Sequence, residues 1–220
     1  LDPNFSSAHA GLAYTLYIYI ILGASPDRQR DLKQALEEAQ TAVRLDAQDP
    51  FAYVALTRGY LLQGDPEAAI AAADKCIDLT PNLALAHFGK AHALWHAGRP
   101  DEAVICHDHA LRLSPHDPLS WAYLASKAIA LVMLKRFEEA IAISLESQRH
   151  LDSRIFSHLA EMSALGHLGR EKEAENAVAR ALMKKPDATI AYVAEALPIT
   201  DETCRKIFHD GLRMAGLPAG

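Results

Sequence analysis

Aromatic residues and cysteines are scarce in this 220-residue sequence. Phe, Trp and Tyr make up 7% of the residues while 50% are hydrophobic, so alanine, leucine, isoleucine and valine supply most of the apolar surface. That composition is typical of packed helices rather than of a β-sandwich, and it excludes a disordered chain. The cysteines, Cys76, Cys106 and Cys204, are odd in number and far apart. This excludes a disulfide framework and indicates a reducing compartment, so we expect a cytoplasmic protein.

The sequence also has no long apolar run and no basic block. Its longest apolar stretch, residues 12–24, has thirteen residues, whereas a helix that spans a bilayer needs about 20. The net charge of −6 arises in residues 1–110, which hold 8 basic and 14 acidic residues, because residues 111–220 hold 14 of each. We therefore expect neither a membrane nor a nucleic-acid partner.

Catalytic motifs are missing as well. The sequence contains no GxSxG, GxxxxGK[ST] or GxGxxG pattern, which are signatures of activated nucleophiles and phosphate-binding loops. His92 and His96 stand four residues apart, a spacing that could bind a metal on one helical face, but no HExxH signature accompanies them. We therefore predict a non-enzymatic chain with no cofactor and no metal site, in which these histidines pack between helices.

What the sequence does contain is a ladder of residues at a fixed spacing. Similar segments begin at alanines separated by 34, 34, 37 and 34 residues. A glycine lies five residues before three of these alanines, and a proline lies twelve residues after three of them. Such self-similarity predicts an array of repeated units. The ladder consists of Ala35, Ala69, Ala103, Ala140 and Ala174, of Gly64, Gly98 and Gly169, and of Pro81, Pro115 and Pro186.

A 34-residue period with small residues at fixed places, a glycine turn and a closing proline resembles the tetratricopeptide repeat, a helix-turn-helix unit. The clearest unit covers residues 50–83, where Tyr53, Leu56, Ala73 and Pro81 fit the family pattern. The resemblance implies an all-α fold: a right-handed superhelical α-solenoid of antiparallel helix pairs, with about five repeats and a C-terminal capping helix. Histidines replace expected residues of the pattern at His87, His107 and His158.

The ladder divides the chain into two regions. Residues 1–188 are predicted to form five helix pairs, the first with a long insertion between its helices at residues 23–31. Residues 189–220 are predicted to form a partial helix, interrupted at Pro198, and a capping helix that begins after Thr200. A solenoid needs such a cap over its last repeat. Three extra residues around 118–120 lengthen the fourth unit.

First helices line the concave surface of tetratricopeptide arrays, so the resemblance implies a protein or peptide ligand there. Because the corresponding residues are largely apolar, an amphipathic helix is the expected ligand. Each of these residues could instead belong to the core, and Arg58 and His92 are the least easily explained in that way. The predicted partner-binding residues are Phe51, Val54, Arg58, Leu62, Leu85, Phe88, His92, Trp95, His96, Ile129, Met133, Phe156, Ser163 and His167.

Three longer segments go beyond a generic repeat. The first unit, residues 113–141 and the ending FHDGLRMAGLPAG are similar to the C-terminal region of bacterial class III adenylate/guanylate cyclases. That resemblance implies a regulatory module that binds a partner, or the N-terminal domain of its own parent chain. Two alternatives stay open: an interaction module of a winged-helix transcriptional regulator, and a structural spacer or dimerisation element. Because the sequence begins at Leu1 without an initiator methionine, we expect a piece of a longer protein.

Overall fold

Helices are the regular elements of the computed structural model, which describes residues 4–151 and 153–220. The start of the predicted first unit, residues 1–3, lies outside the described residues. The predicted all-α class is confirmed. Within the described residues the helices are α1 (Ser6–Ile21), α2 (Arg28–Leu45), α3 (Pro50–Leu62), α4 (Pro66–Leu79), α5 (Ala84–His96), α6 (Pro100–Leu113), α7 (Ser120–Met133), α8 (Phe137–Gln148), α9 (Phe156–Leu168), α10 (Glu171–Lys184), α11 (Ile190–Ala196) and α12 (Glu202–Met214).

The first ten helices stack as consecutive pairs, from α1 with α2 to α9 with α10, and each pair packs on the next. The alanines of the ladder lie at these helix contacts, where Ala69, Ala103 and Ala140 are fully buried. Side chains this small let the axes of neighbouring helices approach closely. The expected solenoid of helix pairs is therefore confirmed, and its alanine-rich composition follows from the stacking.

Acidic residues followed by proline start two of the helices. Asp65 accepts a hydrogen bond from the backbone N–H of Ala68, and Pro66 follows as the first residue of α4. Asp49 starts α3 in the same way, immediately before Pro50. The carboxylate satisfies an N–H that has no partner inside the helix, and proline loses nothing at a position whose N–H would be free anyway.

The turns inside the helix pairs share a residue in the left-handed conformation. The three glycines of the ladder have φ between 66° and 76°, which glycine adopts without steric cost. Lys135, five residues before Ala140, occupies the equivalent place in the fourth unit with a φ of 59°. Its N–H donates to the Val132 carbonyl and the next N–H donates to the Leu131 carbonyl, as in the glycine turns. The fourth unit has no glycine at this position, and Lys135 adopts there the left-handed conformation that glycine has in the other units.

The first unit has a longer connection than its neighbours, but a shorter one than expected. Residues 22–27 join α1 to α2, compared with residues 63–65 between α3 and α4. Residues 28–31, predicted to lie in the insertion, form the first turn of α2 because Asp27 accepts a hydrogen bond from the Arg30 N–H. The other extra residues lengthen α1 and α2 to 16 and 18 residues.

Helix α1 contains most of the longest apolar run of the sequence. Its Leu16, Tyr17 and Ile20 are buried, and they belong to one core cluster with Ala35 of α2 and Leu62 of α3. Within the described residues, no helix combines the length and the apolar character needed to cross a bilayer. The apolar run of α1 therefore serves packing between the first two units.

The C-terminal segment, residues 189–220, folds back over the first helices of the later units. Helix α12 packs against α9 and α7. The contact with α9 is close: a Cβ atom added at Gly166 would lie 2.1 Å from the carbonyl oxygen of Gly211. Beside it, the hydroxyl of Ser163 donates to the Phe208 carbonyl at 2.8 Å. The helix predicted as a cap therefore covers part of the inner surface formed by the first helices.

The first unit and the C-terminal segment are in direct contact. The Tyr192 hydroxyl of α11 donates to the Ile21 carbonyl at 2.9 Å. Arg28 of α2 donates through Nη2 to the Glu195 carbonyl at 2.8 Å. Because these contacts join the two ends of the array, the solenoid closes on itself around its inner surface.

Candidate functional site

The inner surface predicted to bind a partner is largely covered in the structure. Ten of the fourteen predicted residues are buried and four are half-buried. Their role in partner binding stays a prediction. The buried residues are Val54, Arg58, Leu62, Phe88, His92, Trp95, His96, Ile129, Met133 and Ser163. The half-buried residues are Phe51, Leu85, Phe156 and His167.

The C-terminal segment packs against part of this inner surface, where it forms hydrogen bonds with His96 and His167. His96 donates from Nδ1 to the Pro198 carbonyl at 3.0 Å, and the Thr200 hydroxyl donates to the His96 carbonyl at 2.7 Å. Farther along the segment, His167 donates from Nε2 to the Ile207 carbonyl at 2.7 Å. Two histidines predicted to face a partner therefore hold the backbone of the chain's own C-terminal segment.

A cavity of about 100 Å3 remains between the first helices and the C-terminal segment. Its wall is mostly apolar, with one guanidinium and one imidazole among aromatic and aliphatic side chains. The indole Nε1–H of Trp95 donates to the Ser126 hydroxyl at 2.9 Å, so these two polar groups satisfy each other. The cavity is lined by Tyr14, Tyr17, Ile18, Ile21, Arg58, Phe88, His92, Trp95, Leu119, Trp121, Ala122, Ala125, Ser126, Ile129, Phe156 and Leu197.

Arg58 is the cation of this cavity, and it is 1% exposed. Its Nη1 donates to Nδ1 of His92 at 2.8 Å, so the imidazole is neutral and carries its proton on Nε2. Burial, and then the charge of Arg58, hold the pKa of His92 well below its usual value. The guanidinium carbon lies 4.6 Å from the ring centre of Phe88 and 5.3 Å from that of Tyr17. These are cation–π distances, so rings and a neutral imidazole surround the charge.

A second pocket of about 290 Å3 adjoins the cavity between the end of α1 and the starts of α7 and α9, and we call this pocket the mouth. Trp121 and Phe156 are half-buried there, and the side chain of Arg154 is exposed at the rim. An apolar group that reached the cavity would therefore pass between aromatic rings and beside a surface cation. The residues shared by cavity and mouth are Ile18, Ile21, Leu119, Trp121 and Phe156.

The buried histidines His92, His96 and His107 pack against neighbouring side chains. The rings of His92 and His96 lie with centroids 5.1 Å apart, and His107 is fully buried with both ring nitrogens unpartnered. Burial lowers the pKa of His96 to about 4 and that of His107 to about 3. Among the described residues, no group of three or more His, Cys, Asp or Glu side chains is placed to hold a metal ion.

The cysteines are protonated at neutral pH. Burial raises the pKa of the Cys76 thiol to about 11 and that of Cys204 to about 12. The Cys76 thiol also donates to the Pro50 carbonyl at 3.1 Å. Because the thiolate is the reactive form, these two side chains are poor nucleophiles here.

Several residues of the cavity and its mouth were not among the predicted site residues. Tyr17 belongs to the irregular first unit, Trp121 follows the extra residues of the fourth unit, and Leu197 belongs to the C-terminal segment. Offsets read from the regular repeat do not reach these positions. One sequence signal could have found Trp121: both tryptophans of this aromatic-poor sequence, Trp95 and Trp121, line the cavity.

Comparison with known proteins identifies the class to which this fold belongs. The sequence model of the family described as tetratricopeptide repeat matches residues 52–83, the unit formed by α3 and α4. No curated protein matches the chain. The structure is an all-helical solenoid of the tetratricopeptide type.

Solved structures with this fold come from several biological settings. TTC0263, a thermophilic TPR protein of Thermus thermophilus, superposes with a TM-score of 0.68 at 19% identity, over 87% of this chain and 99% of that one. PilW, a widely conserved type IV pilus biogenesis factor, superposes with a TM-score of 0.69 at 17% identity, over 92% of this chain and 90% of that one. YrrB, a TPR protein with an unusual peptide-binding site, superposes with a TM-score of 0.53 at 15% identity, over 77% of this chain and 83% of that one. At these identities the likeness concerns the fold.

Proposed function

We propose that this chain is a non-enzymatic protein-interaction module that binds its partner at the mouth of the inner cavity. The observation that carries the proposal is the apolar mouth, where Trp121 and Phe156 keep partly exposed rings beside Arg154. Rigid aromatic side chains at the edge of a pocket are typical anchors of protein interfaces. The peptide-binding site of YrrB, a TPR protein of the same fold, supports peptide binding by a solenoid of this type.

The chemistry of the mouth favours an amphipathic segment as the partner. An apolar side chain of that segment would pack between the rings, and an acidic side chain beside it would meet the exposed guanidinium of Arg154. Because the C-terminal segment forms hydrogen bonds with His96 of the predicted groove, the contact is expected to involve a short segment and not a full-length helix.

A pull-down tests this site. The immobilised chain is used to retain proteins from an extract of the source organism, and a Trp121→Ala/Phe156→Ala double variant is expected to retain its partner at least about tenfold less. Ile105→Ala is the matched control, because that side chain is 67% exposed on the second helix of its pair. Equal retention by the double variant and by wild type would contradict the site. Retention of no protein at all would favour the spacer alternative.

We further propose that the module is the regulatory C-terminal part of a bacterial, cytoplasmic signalling protein of the adenylate cyclase type. The three cyclase-like segments of the sequence support this proposal, among them residues 113–141. The sequence encoded before Leu1 in the natural gene tests it: a class III cyclase domain is expected there. A winged-helix domain would support the transcriptional regulator instead, and any other domain would contradict both.

A further inference from the structure

Arg58 carries two buried N–H-bearing atoms without hydrogen-bond partners. Its Nε and Nη2 have none in the protein, whereas Nη1 is bound to His92. Arginine stays charged in proteins, and a buried charge without a partner is strongly unfavourable. Among the described residues that line the cavity, none is an aspartate or a glutamate. The cavity therefore contains a cation that its own wall does not neutralise.

The two unpartnered atoms lie on one edge of the guanidinium plane. Nε–H and one N–H of Nη2 point in the same direction, which is the fork that holds both oxygens of a carboxylate. The hydrogen bond from Nη1 to His92 and the rings of Phe88 and Tyr17 fix the plane of the group. Because the plane of the fork is already fixed, the guanidinium itself would not have to reorient to bind a carboxylate.

The rest of the cavity wall suits an apolar body. Phe88, Trp95, Ile129 and Leu197 surround the cavity, and the hydroxyl of Ser126 is already engaged by the Trp95 indole. A pocket of this kind, apolar with a few fixed polar groups, is the usual form of a small-molecule site. The mouth beside Trp121 shares lining residues with the cavity, so it is the expected route from solvent.

We propose that this cavity binds a small organic monocarboxylate with an aryl or medium-chain alkyl body, whose carboxylate accepts hydrogen bonds from Nε and Nη2 of Arg58. A phosphate is a poorer occupant, because its additional charge and oxygen would face the apolar wall. A zwitterion is also a poorer one, because the described cavity wall has no acidic side chain to receive an ammonium group. The inference goes beyond the proposed protein-interaction function and does not depend on it.

Calorimetric titration of the purified chain tests this site. Octanoate and 3-phenylpropionate are the probes, and their primary amides are the neutral controls of the same shape. The acids are expected to bind at least about tenfold more tightly than the amides and to raise the melting temperature. Arg112→Gln, which removes an exposed arginine of α6 that lines neither the cavity nor the mouth, is expected to bind the acids like wild type.

Two variants of Arg58 test whether binding of the acids depends on the positive charge alone or also on the paired Nε and Nη2 donors. Arg58→Met removes the unpaired buried charge, so it is expected to fold and to lose the preference for acid over amide. Arg58→Lys keeps a cation without the fork, and its affinity for the acids is expected to fall about tenfold. Circular dichroism checks that each variant is folded.

Three outcomes would overturn the inference: no binding of either acid by the folded wild type, equal affinity for acid and amide, or acid binding unchanged in folded Arg58→Lys. A further titration compares a peptide that ends in an apolar residue with a free C-terminal carboxylate and the same peptide with an amidated C-terminus. Binding of the free-acid peptide, with no binding of octanoate or 3-phenylpropionate, would assign the carboxylate to a protein partner and would also overturn the inference. Because these titrations contain no partner protein, their result is independent of the pull-down.

Discussion

At the scale of single residues, this protein keeps several histidines neutral by burying them. Burial lowers the pKa of His96 to about 4, that of His107 to about 3 and that of His158 to about 4. In the unfolded chain the same imidazoles would titrate near their ordinary pKa of about 6.5. Protonation at mildly acidic pH therefore favours the unfolded chain.

Acidification is expected to destabilise the fold before its carboxylates titrate. Because the folded pKa values lie below the unfolded ones, the stabilisation is complete above about pH 6.5 and is lost as the pH falls toward about 4. His96 alone corresponds to a loss of about 2 kcal/mol at pH 5. Urea unfolding at a series of pH values measures the slope. His96→Gln retains a donor for the Pro198 carbonyl but does not titrate, so its slope should be shallower. A flat wild-type profile over this range would contradict the assignment.

A second effect at this scale concerns the backbone of Lys135. Its φ of 59° is a conformation that costs a residue with a Cβ atom about 1–2 kcal/mol. Lys135→Gly is therefore expected to raise the free energy of unfolding by about 1 kcal/mol. Lys135→Ala removes the same charge and keeps the Cβ atom, so it should give no such gain. Chemical denaturation compares the two, and equal stabilities would refute the conformational explanation.

At the scale of elements, the contact between α9 and α12 is a backbone-to-backbone approach. Gly166 and Gly211 face each other, and a Cβ atom at Gly211 would lie 2.2 Å from the Ser163 hydroxyl oxygen. The hydroxyl of Ser163 and the imidazole of His167 bond to carbonyl groups of α12. Backbone contact of this kind leaves no space for a side chain, so the position of α12 depends on both glycines.

Substitution of these glycines is expected to displace α12. Gly166→Ala and Gly211→Ala should each lower the free energy of unfolding by about 1–3 kcal/mol, as overpacking does. Gly11→Ala is the matched control: it lies within α1, its added Cβ would have no neighbour within 4 Å beyond the adjacent residues and backbone of its own helix, and it should be neutral or stabilising. The melting temperatures of the three variants, measured by thermal unfolding, test this expectation. Similar melting temperatures for all three would mean that α12 does not rely on this contact.

At the scale of the whole molecule, the array is closed by contacts between its ends. The bond from Tyr192 to the Ile21 carbonyl and the bond from Arg28 to the Glu195 carbonyl join α11 to the first unit. The carbonyl groups of Pro218 and Ala219 accept the first N–H groups of α11 at 2.8 and 3.1 Å. Helix α11 is short, so its position relies on these contacts with other parts of the chain.

Removing the contacts between α11 and the first unit is expected to reduce the local stability of the C-terminal segment before that of the other helices. In an Arg28→Ala/Tyr192→Phe double variant, amide hydrogen exchange should become faster in α11 and at Leu217, while α3 to α6 keep their protection. Lys33→Ala is the control, since its side chain is 78% exposed on α2. Unchanged exchange in α11 of the double variant would show that other contacts hold the segment in place.

The helical class, the helix pairs and most turns could be predicted from the sequence alone. Alanines at a fixed interval predict helix pairs that pack closely against one another. Helix starts at an acidic residue followed by proline, and turns at glycine, depend only on residues close together in the sequence. Even the irregular fourth unit keeps the turn, with Lys135 in the place of glycine.

What lies on the inner surface depends on tertiary contacts that the sequence pattern does not contain. The offsets that selected Trp95 and His96 identify the face of a helix, and part of that face is covered by residues about a hundred positions later in the chain. Leu197 lines the cavity with Trp95, and the Pro198 carbonyl accepts a hydrogen bond from His96. Whether such a distant segment returns depends on contacts among non-repeated residues, such as Gly166 with Gly211. A periodic pattern has no information about those contacts, because it describes only what each unit shares with its neighbours.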